Sequence, residues 1–286
     1  MPVPVPEQLL IIAGRGTYPL LLAQGARAAG VPRIYVAAAR GMTSRRMRAL
    51  ADETAVFGVG EVGRALAWME QTGARHAVMA GQLTPSALFR TRFDTLGRSL
   101  LRGLTVKNAH TLFGTVAGLL TDRGITVLPA SSFMDDHLPA AGTLTRREPD
   151  AREWADIRLG LDVAMRVCGL DIGQTVVVKD GMVLAVEAFE GTDRTIRRSG
   201  RLGGRGGVVV KVAKEGHDMR FDIPVVGAKT IPVLRRARVS ALALQAGRLL
   251  LLDREAVIRA ADRLGIAIVA VDSGLPTAHT REAPPP

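Results

Sequence analysis

Aromatic side chains make up only 4% of the chain, and Cys168 is its single cysteine. One thiol excludes an internal disulfide framework, and within an apolar helical pattern it reads as a small buried hydrophobe, not a reactive group. With 47% of residues apolar and few aromatics, the core is expected to be built from Val, Leu, Ala and Ile. No apolar run approaches the ~18 residues of a membrane-spanning helix. The opening Met1-Pro-Val-Pro-Val-Pro6 lacks the basic segment of a signal peptide, so a cytoplasmic protein is expected. Lysine is scarce too, limited to Lys107, Lys179, Lys211, Lys214 and Lys229, so arginine carries most of the net charge of +11. Arginine suits phosphates and anionic headgroups. The arginines are dispersed, and helix-turn-helix, zinc-ligand and RNA-binding aromatic motifs are all lacking, so no nucleic-acid partner is expected.

What is present divides into two patterns. A length of 286 residues favours two domains. Short apolar runs at 9–13, 34–39, 54–59, 76–80 and 125–128 alternate with helical patterns through 29, at 62–71, near 86–101 and at 106–123. Strands alternating with helices predict an α/β fold with a covered parallel sheet, here a Rossmann-like N-terminal domain over 1–130. Residues 131–169 read as a connecting segment and helix. A mixed α/β C-terminal domain over 170–273 follows, with strands near 207–212, 241–244, 249–252 and 266–271. The tail, 274–286, is expected to be disordered. Between the apolar runs of 174–189 stands Lys179-Asp180-Gly181, an Asp-Gly hairpin signal.

Three stretches are candidates for chemistry. Gly14-Arg15-Gly16-Thr17-Tyr18-Pro19 follows a strand and precedes a helix, where amides and the helix dipole attract phosphate. It departs from the dinucleotide fingerprint, because Pro19 replaces the third glycine and Arg40 follows the second strand instead of an acid. The second stretch, Glu187-Ala-Phe-Glu190-Gly-Thr192-Asp193, places carboxylates at the end of a strand, with Thr192 or Asp193 able to cap a helix. Glu187 is expected to be structural, with Glu190 and Asp193 at the site. In the third, Asp218, Arg220 and Asp222 share one face if 219–225 is extended, a pattern suited to Mg²⁺ and phosphate.

These segments carry a resemblance. Ala13-Gly-Arg-Gly-Thr-Tyr-Pro19, Leu170-Asp-Ile-Gly-Gln-Thr-Val-Val-Val178, Val183-Leu-Ala-Val-Glu-Ala-Phe-Glu-Gly-Thr-Asp193, Asp218-Met-Arg-Phe-Asp-Ile-Pro-Val-Val-Gly227 and Leu252-Asp-Arg-Glu255 occur in order. The chain resembles the UDP-2,3-diacylglucosamine pyrophosphatases of the LpxI type, from lipid A biosynthesis. The resemblance implies a Mg²⁺- or Mn²⁺-dependent hydrolase that yields UMP and 2,3-diacylglucosamine 1-phosphate (lipid X). It implies a UDP-glycolipid substrate and a peripheral place at the anionic cytoplasmic face of the inner membrane, with a homodimer left open.

In that reading Asp222 is the key catalytic aspartate, helped by Glu190 and Asp193. Asp222, Asp218 and Glu190 are metal candidates. Gly14, Arg15, Gly16, Gln174, Thr192, Lys214 and Arg220 are candidates for holding phosphate or nucleotide. The chain departs from the family where Lys107-Asn-Ala-His110 replaces a Lys-Gly-Asp-Asp segment. That substitution keeps a second expectation in view, a non-catalytic protein binding a nucleotide-lipid or lipid phosphate.

Overall fold

The computed structural model describes residues 5–82, 91–103, 109–214, 220 and 223–272. Two compact units divide between Asp135 and Asp136. The first contains β1 (Gln8–Ala13), α1 (Tyr18–Ala28), β2 (Arg33–Ala39), β3 (Glu53–Phe57), α2 (Val62–Gln71), β4 (His76–Ala80), α3 (Thr95–Gly103), α4 (Ala109–Thr121) and β5 (Thr126–Val127). Its five strands are all parallel, in the order β3-β2-β1-β4-β5. That order reverses beside β1, as in doubly wound sheets. Side chains alternate faces along each strand. Leu10, Ala37 and Met79 therefore meet Leu66 and Met69 of α2 and Leu120 of α4 on one face. Leu9, Ile11, Val36 and Val78 are buried between them in sequence, and α1 packs on β1 and β4.

The second unit contains β6 (Gly142–Thr143), α5 (Ala151–Gly169), β7 (Thr175–Lys179), β8 (Met182–Val186), α6 (Thr192–Gly203), β9 (Val208–Lys211), β10 (Val225–Val226), α7 (Thr230–Arg236), β11 (Ala241–Gln245), β12 (Leu250–Leu251), α8 (Arg254–Leu264) and β13 (Ala267–Val271). Its main sheet is mixed, in the order β6-β13-β11-β9-β7-β8. Strands β9, β11 and β13 run parallel, while β6, β7 and β8 join antiparallel. A small parallel pair joins β10 to β12.

Both faces of this sheet are covered. Val176, Val178, Val208 and Val210 pack on Ile157, Leu161, Ala164 and the buried Cys168 of α5. The intervening Val177 and Val209 face Ile196 of α6, Leu234 of α7 and Val257 of α8. The helix expected to connect the two halves is thus one layer of the second unit's core. Asp150 caps α5 by accepting from the Glu153 amide at 2.8 Å, and Glu153 returns the bond to the Asp150 amide at 2.9 Å.

The β7–β8 turn is built as its sequence demands. Asp180 and Gly181 both have positive φ, 51° and 75°, as a type I′ hairpin requires. The buried carboxylate of Asp156 on α5 accepts from both turn amides, at 3.0 and 2.8 Å. The hairpin is therefore pinned to the helix layer as well as to the sheet.

Candidate active site

The carboxyl ends of β9, β11 and β13 share one edge of the second sheet with the start of antiparallel β7, since Thr175 pairs with Lys211. Beyond β8, Gly191 (φ 83°) turns the chain into α6 at this same edge. Gly191 holds the N-cap position without a side-chain cap, so Thr192 and Asp193 are the first helical residues and do not cap it. A helix N-terminus at the carboxyl edge of parallel strands is a place for anions.

Thr192 is the hub of a buried polar cluster there. Its hydroxyl donates to Glu187 Oε1 at 2.8 Å and accepts from Lys211 Nζ at 2.9 Å. Lys211 Nζ also donates to the Thr175 hydroxyl at 3.3 Å and lies 3.9 Å from Glu187 Oε2. The Lys211 side chain is only 7% exposed and that of Glu187 14%. A charge so far from water survives only when paired and hydrogen-bonded. Glu187, expected to be structural, lies just past the end of β8 and is bonded to Thr192. Lys211 and Thr175 escaped the sequence reading, although a lysine interrupting the run Val208-Val-Val-Lys-Val-Ala213 signals a buried cation.

Around this cluster lie other expected residues. Lys214 Nζ reaches Asp171 Oδ1 at 3.2 Å. The Gln174 carbonyl accepts the Val212 amide at 3.0 Å, and its side chain is partly exposed. Glu190 Oε1 accepts from Arg198 Nε and from the Thr195 hydroxyl, each at 3.1 Å. The Arg198 bond holds the Glu190 carboxyl below the usual carboxylate range, against the opposing effect of burial. Asp193 pairs with Arg197 at 3.5 Å, one helical turn on.

Of the expected metal ligands Asp222, Asp218 and Glu190, only Glu190 is among the described residues. Among the described residues no three of His, Cys, Asp and Glu gather as a metal site. Glu190 and Asp193 are both directed to arginines, so they do not by themselves form a set of hard oxygen ligands. Asp218 and Asp222 lie outside the described residues, as do the side chain of His110 and residues 83–90 and 104–108. Arg220 is described and half-buried.

In the first unit the glycine loop is committed to the fold. The Gly14 amide donates to the Ala80 carbonyl at 2.7 Å, and Arg15 and Gln82 exchange two backbone bonds at 2.9 and 3.0 Å. A Cβ on Gly14 would stand 2.8 Å from the Gln82 carbonyl oxygen, and one on Gly81 2.8 Å from that of Arg15. These two glycines allow two strand exits to touch, and the Gly14 and Arg15 amides face the neighbouring loop. The exposed Gly16 (φ 109°) and the exposed Arg15 side chain remain on the solvent side. Arg40 is paired with Glu61 at 2.9 Å.

Comparison with known proteins covers both units. Residues 8–137 match the LpxI N-terminal domain family and residues 140–269 the LpxI C-terminal domain family. The chain is 35% identical over 283 residues to the UDP-2,3-diacylglucosamine pyrophosphatase LpxI of Caulobacter vibrioides, covering 93% of this chain and 98% of that one. With both halves matched in order and nearly full-length identity to a named member, the chain belongs to the LpxI family.

Proposed function

We propose that this protein hydrolyses the diphosphate of UDP-2,3-diacylglucosamine, giving UMP and 2,3-diacylglucosamine 1-phosphate in lipid A biosynthesis. The observation that carries the reading is the near full-length correspondence with a relative named for that reaction. Water adds to one phosphorus, the bond from it to the bridging oxygen breaks, and that oxygen leaves on the other phosphate. The chain supplies a seat for charge at the α6 N-terminus, where Thr192 is held by buried Lys211, while Lys214, paired with Asp171, and Gln174 are candidates by motif. Arg220, Arg15 and Gly16 are further candidates for the diphosphate and nucleotide, by motif. Mg²⁺ or Mn²⁺, held by Asp222 and Asp218, would neutralise charge on the diphosphate. Asp222 is assigned the central role on the resemblance.

The same reading places the protein against an anionic membrane surface. No helix among the described residues is long and apolar enough to cross a membrane. The loops at the α6 end of the β7–β8 pair carry Leu170, exposed to 72%, and Phe189, fully exposed. Arg194, Arg197 and Arg198 follow on α6. Apolar tips among arginines suit contact with headgroups around a glycolipid.

Removing divalent metal with EDTA is expected to stop UMP release from UDP-2,3-diacylglucosamine, and added Mg²⁺ to restore it. Undiminished turnover in EDTA contradicts the metal assignment. Tight binding of the glycolipid with no UMP under any metal favours the non-catalytic carrier over the hydrolase.

A further inference from the structure

The far end of α6 carries a second concentration of charge. Arg201 stands in its last turn, and Arg205 follows in a glycine-bounded loop. Arg235 and Arg236 end α7, and Arg238 lies just beyond it. All five are exposed. Close backbone packing brings them to one corner of the second unit. A Cβ on Gly200 would stand 2.6 Å from Ala237 Cα, so α6 lies against the exit of α7. The Gly206 amide then donates to the Arg238 carbonyl at 2.8 Å, and the Ser240 amide to the Gly207 carbonyl at 2.9 Å. Gly207 and Ser240 immediately precede β9 and β11, so this corner is at the amino ends of those strands.

Local structure does not consume the charge. Among the described residues none of the five arginines has an ion-pair partner. The acids of adjoining segments are engaged elsewhere. Asp180 is held by Arg152 at 2.8 Å, Glu153 by Arg147, and Asp156 by the amides of the β7–β8 turn. A helix C-terminus attracts cations, but it presents only about half a negative charge. Two helices end here, so they offset about one positive charge and leave about four. Lys179 Nζ moreover already donates to the Gly203 carbonyl at 2.7 Å. Nor does the corner serve the candidate active site. The 12 residues of α6 that separate them span about 18 Å, and charges are screened over ~8 Å at physiological salt.

We propose that this arginine corner docks an acidic segment of a soluble protein partner. Guanidinium groups pair with carboxylates through two parallel hydrogen bonds, and arginine is enriched in protein interfaces. Leu202, exposed to 64% beside Arg201, adds an apolar anchor. Neither contributing segment, 200–207 or 234–240, contains an aromatic on which a nucleic-acid base could stack. A second copy of this chain, itself at +11, would meet the corner with like charge. Anionic lipid belongs at the other end of α6 in the orientation given under Proposed function, and the choice of a soluble partner rests on that orientation.

Short fluorescein-labelled poly-L-glutamate is the probe, followed by anisotropy on the full chain. Saturable binding is expected, weakening as salt rises past about 0.15 M. The triple variant Arg201→Ala, Arg205→Ala, Arg238→Ala should bind about tenfold more weakly. Arg235→Gln with Arg236→Gln is a second corner variant and should weaken binding about threefold. Arg45→Ala, Arg46→Ala, Arg48→Ala removes the same charge from exposed positions of the first unit and should keep affinity within about twofold. Equal loss in both triple variants overturns the proposal, as does unchanged affinity in both corner variants. Phosphatidylglycerol vesicles and polyuridylate are the rival ligands. Vesicle binding that survives Phe189→Ser but is lost with the corner arginines gives the corner to the membrane and overturns the proposal. Polyuridylate binding tighter than that of the peptide, and lost with the same arginines, overturns it too. No arm requires turnover. Failure of hydrolysis would therefore strike the proposed function, whereas failure of peptide binding beside intact hydrolysis would strike only the docking corner.

Discussion

Replacing Asp222 with Asn is expected to reduce UMP release by about 10³-fold or more while leaving the protein folded. The substitution conserves shape and removes one charge, so it isolates electrostatics from packing. Asp222 stands in Arg220-Phe-Asp222-Ile-Pro224, between β9, which ends in the buried Lys211, and β10, which begins at Val225. A loss confined to kcat, with an unchanged thermal transition, places Asp222 in the chemical step. Wild-type turnover in the folded variant removes it from that step. The described carboxylates at the start of α6 are poor substitutes, because Arg198 engages Glu190 and Arg197 engages Asp193.

The second large effect concerns stability. Glu153 is 1% exposed. It receives both arms of the Arg147 guanidinium, each at 2.8 Å. Arg147 also donates to the Ser240 carbonyl at 2.6 Å and the Gly265 carbonyl at 2.8 Å. One side chain thus ties the start of α5 to the approaches of β11 and β13. Burial alone would raise the Glu153 pKa, but the Arg147 bonds and the Asp150 amide outweigh it and bring the carboxyl down to about 2.

A depressed carboxyl stabilises the fold above its unfolded value. That contribution, about 3 kcal/mol by linkage, is present above pH 4.5 and lost as pH falls through about 2. Arg147→Ala leaves the carboxylate buried and unpaired, and is expected to cost about 3–5 kcal/mol at pH 7. The deficit should shrink as pH falls from 7, because burial without Arg147 raises the carboxyl of Glu153 and it takes a proton above its ordinary 4.5. Urea titrations of the second unit's transition at pH 7 and pH 4 measure both. A small, pH-independent deficit contradicts this account of Glu153.

Much of the architecture was legible because its strands are buried on both faces. Leu9-Leu-Ile-Ile-Ala13 and Ile34-Tyr-Val-Ala-Ala-Ala39 are continuous apolar runs for that reason. Asp180-Gly181 announced its hairpin through a local backbone requirement. The role of α5 was less visible. Its stripe of Ile157, Leu161, Ala164 and Cys168 shows a helix with a buried face, but nothing local says which sheet receives it.

The same limit applied to the glycine loop. The Gly14 and Arg15 amides bond Ala80 and Gln82, partners too remote in sequence for the loop's own pattern to announce. Lys211 is not legible as a site residue from its own segment, because its partners Thr175 and Thr192 come from separate elements. Helix α6 was anticipated, but its N-cap was assigned too late, since only the backbone turn at Gly191 fixes where it starts. The role proposed for Asp222 rests on resemblance to a family, not on spacing.

The central claim is cleavage of a diphosphate, and hydrolysis of UDP-2,3-diacylglucosamine in ¹⁸O-labelled water tests it most directly. The account predicts equal amounts of UMP and 2,3-diacylglucosamine 1-phosphate, with one ¹⁸O in the phosphate of one product. Release of UDP, or glycolipid retained on the protein uncleaved, would contradict it.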